Sequence, residues 1–261
     1  MENLTDIEIT LVTIGLDRID FSSLNLEKNK KDAYDRILLY NILKDKLNAR
    51  FVYVSVDKNN TSFSPEIRQL KNKNKSLKPN EMKSAVKLIF QDDDKEDYIS
   101  LFGTGCCTIS GGKMIDYSDK IPLVNELCDL FGVPYPDISC YNANMIRSRT
   151  RLKPELNKKI SNENLFEVLT TIQEGQTGDE NIFITEVPYN EEKIDSFVKI
   201  KLRTEGEGNT KNKVKGDTVV FYTGGNISII VKNMEKCNLV HDWLDNLITN
   251  HYDTILMDKE E

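Results

Sequence analysis

The sequence is poor in the residues that build catalytic and metal centres. It has two histidines, His241 and His251, and neither has a Cys, Asp or Glu partner at metal spacing, which argues against a zinc site. The five cysteines, at 106, 107, 128, 140 and 237, form an odd set without a C-x-x-C pair. In a chain of 261 residues they are expected to be reduced thiols in an intracellular protein, with Cys107 a buried one. No run of roughly eighteen apolar residues exists, so no membrane-spanning helix is expected. The first residues, Met-Glu-Asn-Leu-Thr-Asp-Ile-Glu, lack the apolar core of a secretion signal. Gly105 to Lys113 has Cys107 and Met114 where a phosphate loop needs glycine and a hydroxyl residue. Gly103-Thr104-Gly105 has Thr108 where a dinucleotide fingerprint needs glycine. Both glycine clusters are read as hairpin turns that need positive φ. No catalytic constellation stands out, so the expectation is a protein that is not an enzyme and carries no cofactor.

What the chain does have is a core and a pattern. With 39% hydrophobic and 30% charged residues it is globular, and its length allows one large domain or two small ones. The net charge of −7 argues mildly against a nucleic-acid binder, but the charge is uneven. Asp92, Asp93, Asp94, Glu96 and Asp97 form an acidic block, read as a charged hairpin tip, and Lys71, Lys73, Lys75, Lys78 and Lys83 form a basic run. Periodicity predicts strands at 6–14, 50–56, 83–90, 98–104 and 106–111, with helices within 32–47 and at 122–132. A second series follows, with strands at 137–147, 181–187, 195–203, 217–223 and 226–231 and helices from about 161 and over 236–249. Residues 57–82 and 204–216 are read as insertions, the first a polar loop.

The order β-α-β-β-β-β-α thus occurs twice, with Pro134 and Pro136 at the junction. Ser84-Ala85-Val86-Lys87-Leu88 is echoed by Ser196-Phe197-Val198-Lys199-Ile200, and Phe102-Gly103-Thr104-Gly105 by Tyr222-Thr223-Gly224-Gly225. Alternation sorts the faces. Ile99, Leu101, Cys107, Ile109, Val219, Phe221, Ile227, Ile229 and Val231 suit burial under helices. Ser100, Phe102, Thr108, Ser110, Thr218, Val220, Tyr222, Ser228 and Ile230 fall on the opposite face, left free to bind.

The segment Phe102-Gly103-Thr104-Gly105-Cys106-Cys107-Thr108-Ile109-Ser110-Gly111-Gly112-Lys113 resembles the repeat F-S-S-G-K-M-V-x-T-G-A-K of the TATA-binding protein family. The chain as a whole, particularly over 217–256, resembles that family's divergent members in large cytoplasmic DNA viruses. The resemblance implies an α+β saddle. Two repeats, 1–133 and 134–261, would form one curved antiparallel sheet with helices on its convex face. It implies a transcription initiation factor that binds and bends A/T-rich double-stranded DNA through the minor groove, recruiting RNA polymerase or other factors in the cytoplasm or nucleus of a host cell. Phe102 and Tyr222, or Phe221 one register away, would be wedges between base steps. Thr104, Thr108, Ser110, Ser228 and Ile230 would lie along the groove, and Lys87, Lys113, Arg147, Arg149, Lys199 and Lys201 would contact phosphates. Asp6 and Asp137 stand where the family has groove-reading asparagines, and an acceptor-only carboxylate repels the acceptors of A·T pairs. That departure motivates an alternative: a protein-interaction module on the same fold without DNA binding. A small-molecule site on the free face is a further alternative.

Overall fold

The computed structural model describes residues 2–29, 32–57, 59–65, 85–92, 95–111, 118, 120–176, 181–189, 192–204 and 217–259. The chain is α+β, and all thirteen described strands take part in antiparallel pairing. It divides into two compact units, one of Leu11–Asn144 and one of Met1–Thr10 with Met145–Glu261. The boundaries fall inside two strands, β1 (Glu8–Leu16) and β7 (Tyr141–Arg151), and differ from a cut at the Pro134 junction.

In the Leu11–Asn144 unit the order along the chain is β1, α1 (Arg36–Leu43), β2 (Phe51–Ser55), β3 (Thr61–Phe63), β4 (Ala85–Asp92), β5 (Lys95–Phe102), β6 (Cys107–Ser110) and α2 (Ile121–Phe131). The strands lie in the order β3-β2-β4-β5-β6-β1. One sheet face buries Val86, Leu88, Phe90, Ile99, Leu101, Cys107, Ile109, Ile14 and Leu16. Helix α1 packs on β2 and β4, and against α2. Asp35 caps α1 by accepting from Ile37 N, and α2 ends at Gly132, whose φ of 70° lets the chain turn away. The polar loop expected over 57–82 is corrected in its first part. Asp57 accepts from the amides of Asn59 and Asn60, and this turn sends the chain into the edge strand β3. Residues 66–82 lie outside the described residues, as do 205–216 of the second insertion.

The other unit contains β7, β8 (Lys158–Ile160), α3 (Asn162–Gly175), β9 (Ile182–Glu186), β10 (Phe197–Thr204), β11 (Asp217–Tyr222), β12 (Asn226–Val231), α4 (Met234–Asn250), α5 (Tyr252–Ile255) and β13 (Leu256–Asp258). Its main sheet runs β7-β12-β11-β10-β9, while β8 and β13 form a separate antiparallel pair that sequence pattern missed. Val198, Ile200, Leu202, Val219, Phe221, Ile227, Ile229, Val231 and Ile146 are buried. Helix α3 packs on β9 and β10, and α4 on β12. The first strand of this half starts later than expected. Asp137 accepts from Ser139 N at 2.8 Å and caps a short 3-10 turn over Ile138–Cys140, so β7 begins only at Tyr141. Neither Asp137 nor Asp6 lies on a strand, so neither occupies the strand position the family alignment gave it.

The repeated turn is real at atomic detail. Gly105 N donates to Phe102 O at 2.9 Å, Gly225 N donates to Tyr222 O at 2.8 Å, and the two glycines have φ of 89° and 85°. Positive φ explains these two, as expected for hairpin turns. Gly111 has a different cause: a Cβ there would stand 2.0 Å from Asp97 Oδ1. Asp97 itself is not at the tip of the acidic hairpin. It is buried in an ion pair with Lys120, 2.9 Å from Nζ to Oδ1.

Candidate nucleic-acid interface

The free face of each sheet follows from strand register. In the Leu11–Asn144 unit, Lys87 pairs with Ser100, Ser100 with Thr108, and Thr108 with Gly15. The next line out joins Tyr53, Ile89, Tyr98, Ser110 and Thr13. These side chains share the face opposite the helices. Thr13 and Ser110 hydroxyls lie 2.9 Å apart, Tyr98 OH donates to Glu96 at 2.7 Å, and Lys87 Nζ donates to Ser100 Oγ. Lys87 is the only cation on this face among the described side chains. Its pKa is lowered because burial penalises the ammonium form. Phe102 is half-buried at the end of β5. Thr104 is exposed but sits in the turn rather than on the sheet, where its hydroxyl accepts from Cys106 N. Lys113 lies outside the described residues.

The Met1–Thr10/Met145–Glu261 unit has a different free face. Arg149 pairs with Ser228, Ser228 with Val220, and Val220 with Lys199. One line out, Arg147 pairs with Ile230, Ile230 with Thr218, and Thr218 with Lys201. At the other end Arg151 pairs with Asn226, while Tyr222 pairs with Phe197. Arg203 lies on the same face of β10, its guanidinium 5.0 Å from the Phe183 ring centroid. The result is two rows of cations, Arg147, Arg149 and Arg151 on β7 and Lys199, Lys201 and Arg203 on β10. Between them lies a neutral floor of Thr218, Val220, Ser228 and Ile230, with Tyr222 at one end.

Arg149 and Lys201 have acidic partners among the described residues. Arg149 meets Glu8 at 2.7 Å, and Lys201 meets Glu186. Both pairs are solvent-exposed, so each holds its cation only weakly and a phosphate can replace the carboxylate. Arg147 donates to Ser228 Oγ at 3.4 Å, which holds it over the floor.

Sequence reasoning put Arg147, Arg149, Lys199, Lys201, Ser228, Ile230 and Tyr222 on one surface, and the register brings them together. Phe221 does not join them. It is 1% exposed on the helix-covered side, whereas Tyr222 is 37% exposed on the free side. Phe221 is therefore a core residue and cannot act as a wedge. Arg151 and Arg203 were missed. The signal was present in Arg147-Ser148-Arg149-Thr150-Arg151, whose alternate members Ser148 and Thr150 are buried, but a strand ended at 147 hides it.

Other chemistry is sparse. No group of three metal-binding side chains occurs among the described residues. All five cysteines are free, and burial pushes the Cys107 and Cys128 thiols up to about 12. A cavity of about 230 Å³ beside β10 is lined mainly by Phe166, Pro188, Tyr189, Ile194 and Phe197. No described helix is long and apolar enough to cross a membrane.

No protein-family model matches the sequence, and no curated protein matches it. Among solved structures the chain is similar to the TBP of Methanococcus jannaschii, at 12% identity and a TM-score of 0.44. That match covers 94% of this chain and 99% of the other. At this level of likeness the fold stands on the strand order and register described above.

Proposed function

We propose that the protein is a TATA-binding-like transcription initiation factor that binds and bends A/T-rich promoter DNA through the minor groove. The observation that carries this reading is the free face with two cation rows and a hydroxyl-bearing floor. Phosphate contacts supply most nucleic-acid affinity and position the protein, and arginine and lysine are the side chains that make them. The minor-groove edge of A·T pairs offers only acceptors, which Ser228 and Thr218 hydroxyls can meet as donors. Tyr222 is the wedge in this unit, and Phe102 is its counterpart at the equivalent turn of the other. RNA polymerase or other initiation factors would be its protein partners, in the cytoplasm or nucleus of a host cell and under viral control.

A second reading is favoured by the Leu11–Asn144 unit. Its free face has Lys87 alone among described cations, with Tyr98 50% exposed and Phe63 52% exposed. Such a face suits protein contact, and a fold kept for interaction alone would retain it. A mobility-shift titration on an A/T-rich duplex separates the two. Salt-sensitive binding that weakens in Tyr222→Ala supports the initiation factor. No shift at about 50 mM salt, alone or with added polymerase, supports the interaction module.

A further inference from the structure

The two cation rows on the Met1–Thr10/Met145–Glu261 sheet have a definite spacing. Strands β7 and β10 are separated by β12 and β11, three strand steps, which places the rows about 14 Å apart. Within a row the cations occupy every second residue, about 7 Å apart, so three of them span about 14 Å. Each strand of B-DNA carries one phosphate per about 3.4 Å of axis, so each row has the length of about four phosphates.

A row of cations on each side of a neutral floor is the charge pattern of a groove with a backbone on each wall. An undistorted minor groove is only about 6 Å wide, so it must open to meet both rows. The floor is a flat sheet face and cannot enter a narrow groove, which makes the same demand. Tyr222 stands at the end of the floor, where an aromatic ring inserted at a base step holds a groove open.

We propose that this one unit grips both strands of an opened minor groove whose axis follows β11 and β12. The β7 arginines take one backbone, and Lys199, Lys201 and Arg203 take the other. The ionic part of DNA affinity then belongs to this unit. Among its described residues the other unit lacks the rows. Where β7 carries Arg147 and Arg149 opposite Ile230 and Ser228, β1 carries Thr13 and Gly15 opposite Ser110 and Thr108. Where β10 carries Lys199, Lys201 and Arg203, β4 carries Lys87, Ile89 and Gln91. The inference rests on the nucleic-acid reading above and adds which residues hold which strand.

The test uses the full chain and A/T-rich duplexes in which methylphosphonate linkages neutralise one strand or the other. Three variants are compared with the wild type: R147Q/R149Q/R151Q, K199Q/K201Q/R203Q and K87Q. The altered side chains reach solvent, and thermal melting checks that each variant is folded. Each triple variant is expected to lower the salt slope of log K by about 2.7, three phosphates at about 0.9 each, and K87Q, a single cation, by no more than about 0.9. The β7 variant is expected to become insensitive to neutralisation of one strand only, and the β10 variant to neutralisation of the opposite strand only. If both triples lose sensitivity to the same strand, the rows follow one backbone and the proposal is overturned. It is also overturned if the wild type binds but the triples keep its slope, or if K87Q lowers the slope as much as a triple. A wild type that binds no duplex refutes the nucleic-acid reading itself, and this proposal with it. If a triple variant unfolds, the single variant Arg151→Gln serves instead, with an expected slope loss of about 0.9 and the same strand assignment.

Discussion

Phe221 and Tyr222 are neighbours in sequence with opposite fates, and truncating each in turn tests the register on which the interface depends. Phe221 is 1% exposed between Val198 on β10 and Ile227 on β12, on the face covered by helices. Removing its ring loses the transfer free energy of a buried aromatic and leaves a cavity that the flanking strands can only partly close. Phe221→Ala is therefore expected to cost about 3–5 kcal/mol, a fall in melting temperature on the order of 6–20 °C. Tyr222 is 37% exposed, with its ring 6.3 Å from that of Phe197. Tyr222→Ala should change stability by less than about 1 kcal/mol. A stacking aromatic is worth about 1–3 kcal/mol per base, so DNA binding should weaken by roughly 5- to 150-fold. Melting followed by far-ultraviolet circular dichroism, beside a mobility-shift titration, reads both effects on the same samples. If Phe221→Ala melts like the wild type and loses DNA while Tyr222→Ala does the reverse, β11 is one residue out of register. The floor and both cation rows would then have to be redrawn.

Four further outcomes follow from the packing and titration of individual groups. Asp97→Ala removes the Asp97 carboxylate from the buried Lys120 ammonium and is expected to destabilise the protein in urea unfolding, by up to about 3–5 kcal/mol. Gly111→Ala should also destabilise, because its Cβ would clash with Asp97, and an unchanged urea midpoint would disprove that close approach. Iodoacetamide at about pH 8 should alkylate exposed Cys106 in the native protein but not Cys107 or Cys128, whose thiols burial pushes up to about 12, and peptide mass spectrometry reads the sites. Asp57 is held below its ordinary pKa chiefly by the Asn59 amide, and Asp32 by the Lys28 side chain. For each, the folded pKa lies below the unfolded one, so its stabilisation is fully present above the unfolded carboxylate pKa of about 3.9 and is lost as pH falls through the folded value. The urea midpoint should accordingly be flat from about pH 7 to 5 and decline below about 4, with a shallower decline in Asp57→Asn.

Most of the sheet was legible because burial on one face leaves a period of two. Ile99 and Leu101 against Ser100 and Phe102, or Val219 and Phe221 against Thr218 and Tyr222, state which side meets the helices before any coordinates are known. The short elements were not legible. β3, β8 and β13 have three residues each, too few for a period to register, and their pairing is decided by the tertiary structure. The start of β7 was misplaced because Ile138 and Cys140 alternate with Ser139 as a strand would, whereas Asp137 is a capping residue that holds its own local turn. At the interface, single lysines and arginines were visible as charges. That they form two rows is a property of the order β7-β12-β11-β10, in which sequence neighbours are not always spatial neighbours.

That order also separates what the two copies share from what they do not. Both keep the positive-φ glycine at the same turn, an aromatic three residues before that glycine, and an aliphatic stripe under the helices. Those features determine whether the unit folds, because each corresponds to a strained backbone position or a buried surface that substitution would penalise. On the free faces that penalty is smaller where side chains reach solvent, as Arg147 and Arg149 do, while Thr13 and Ile89 are buried. One copy has Thr13, Gly15, Ile89 and Gln91 where the other has Arg147, Arg149, Lys201 and Arg203. Each of the first four is neutral, and each of the second is a cation that stability alone does not require. Placing like charges about 7 Å apart along a row costs some repulsion and gains nothing in packing. A polyanion lying over the floor would turn that repulsion into attraction, which is why the charged copy, and not the one that better matches the family motif, holds the argument for DNA.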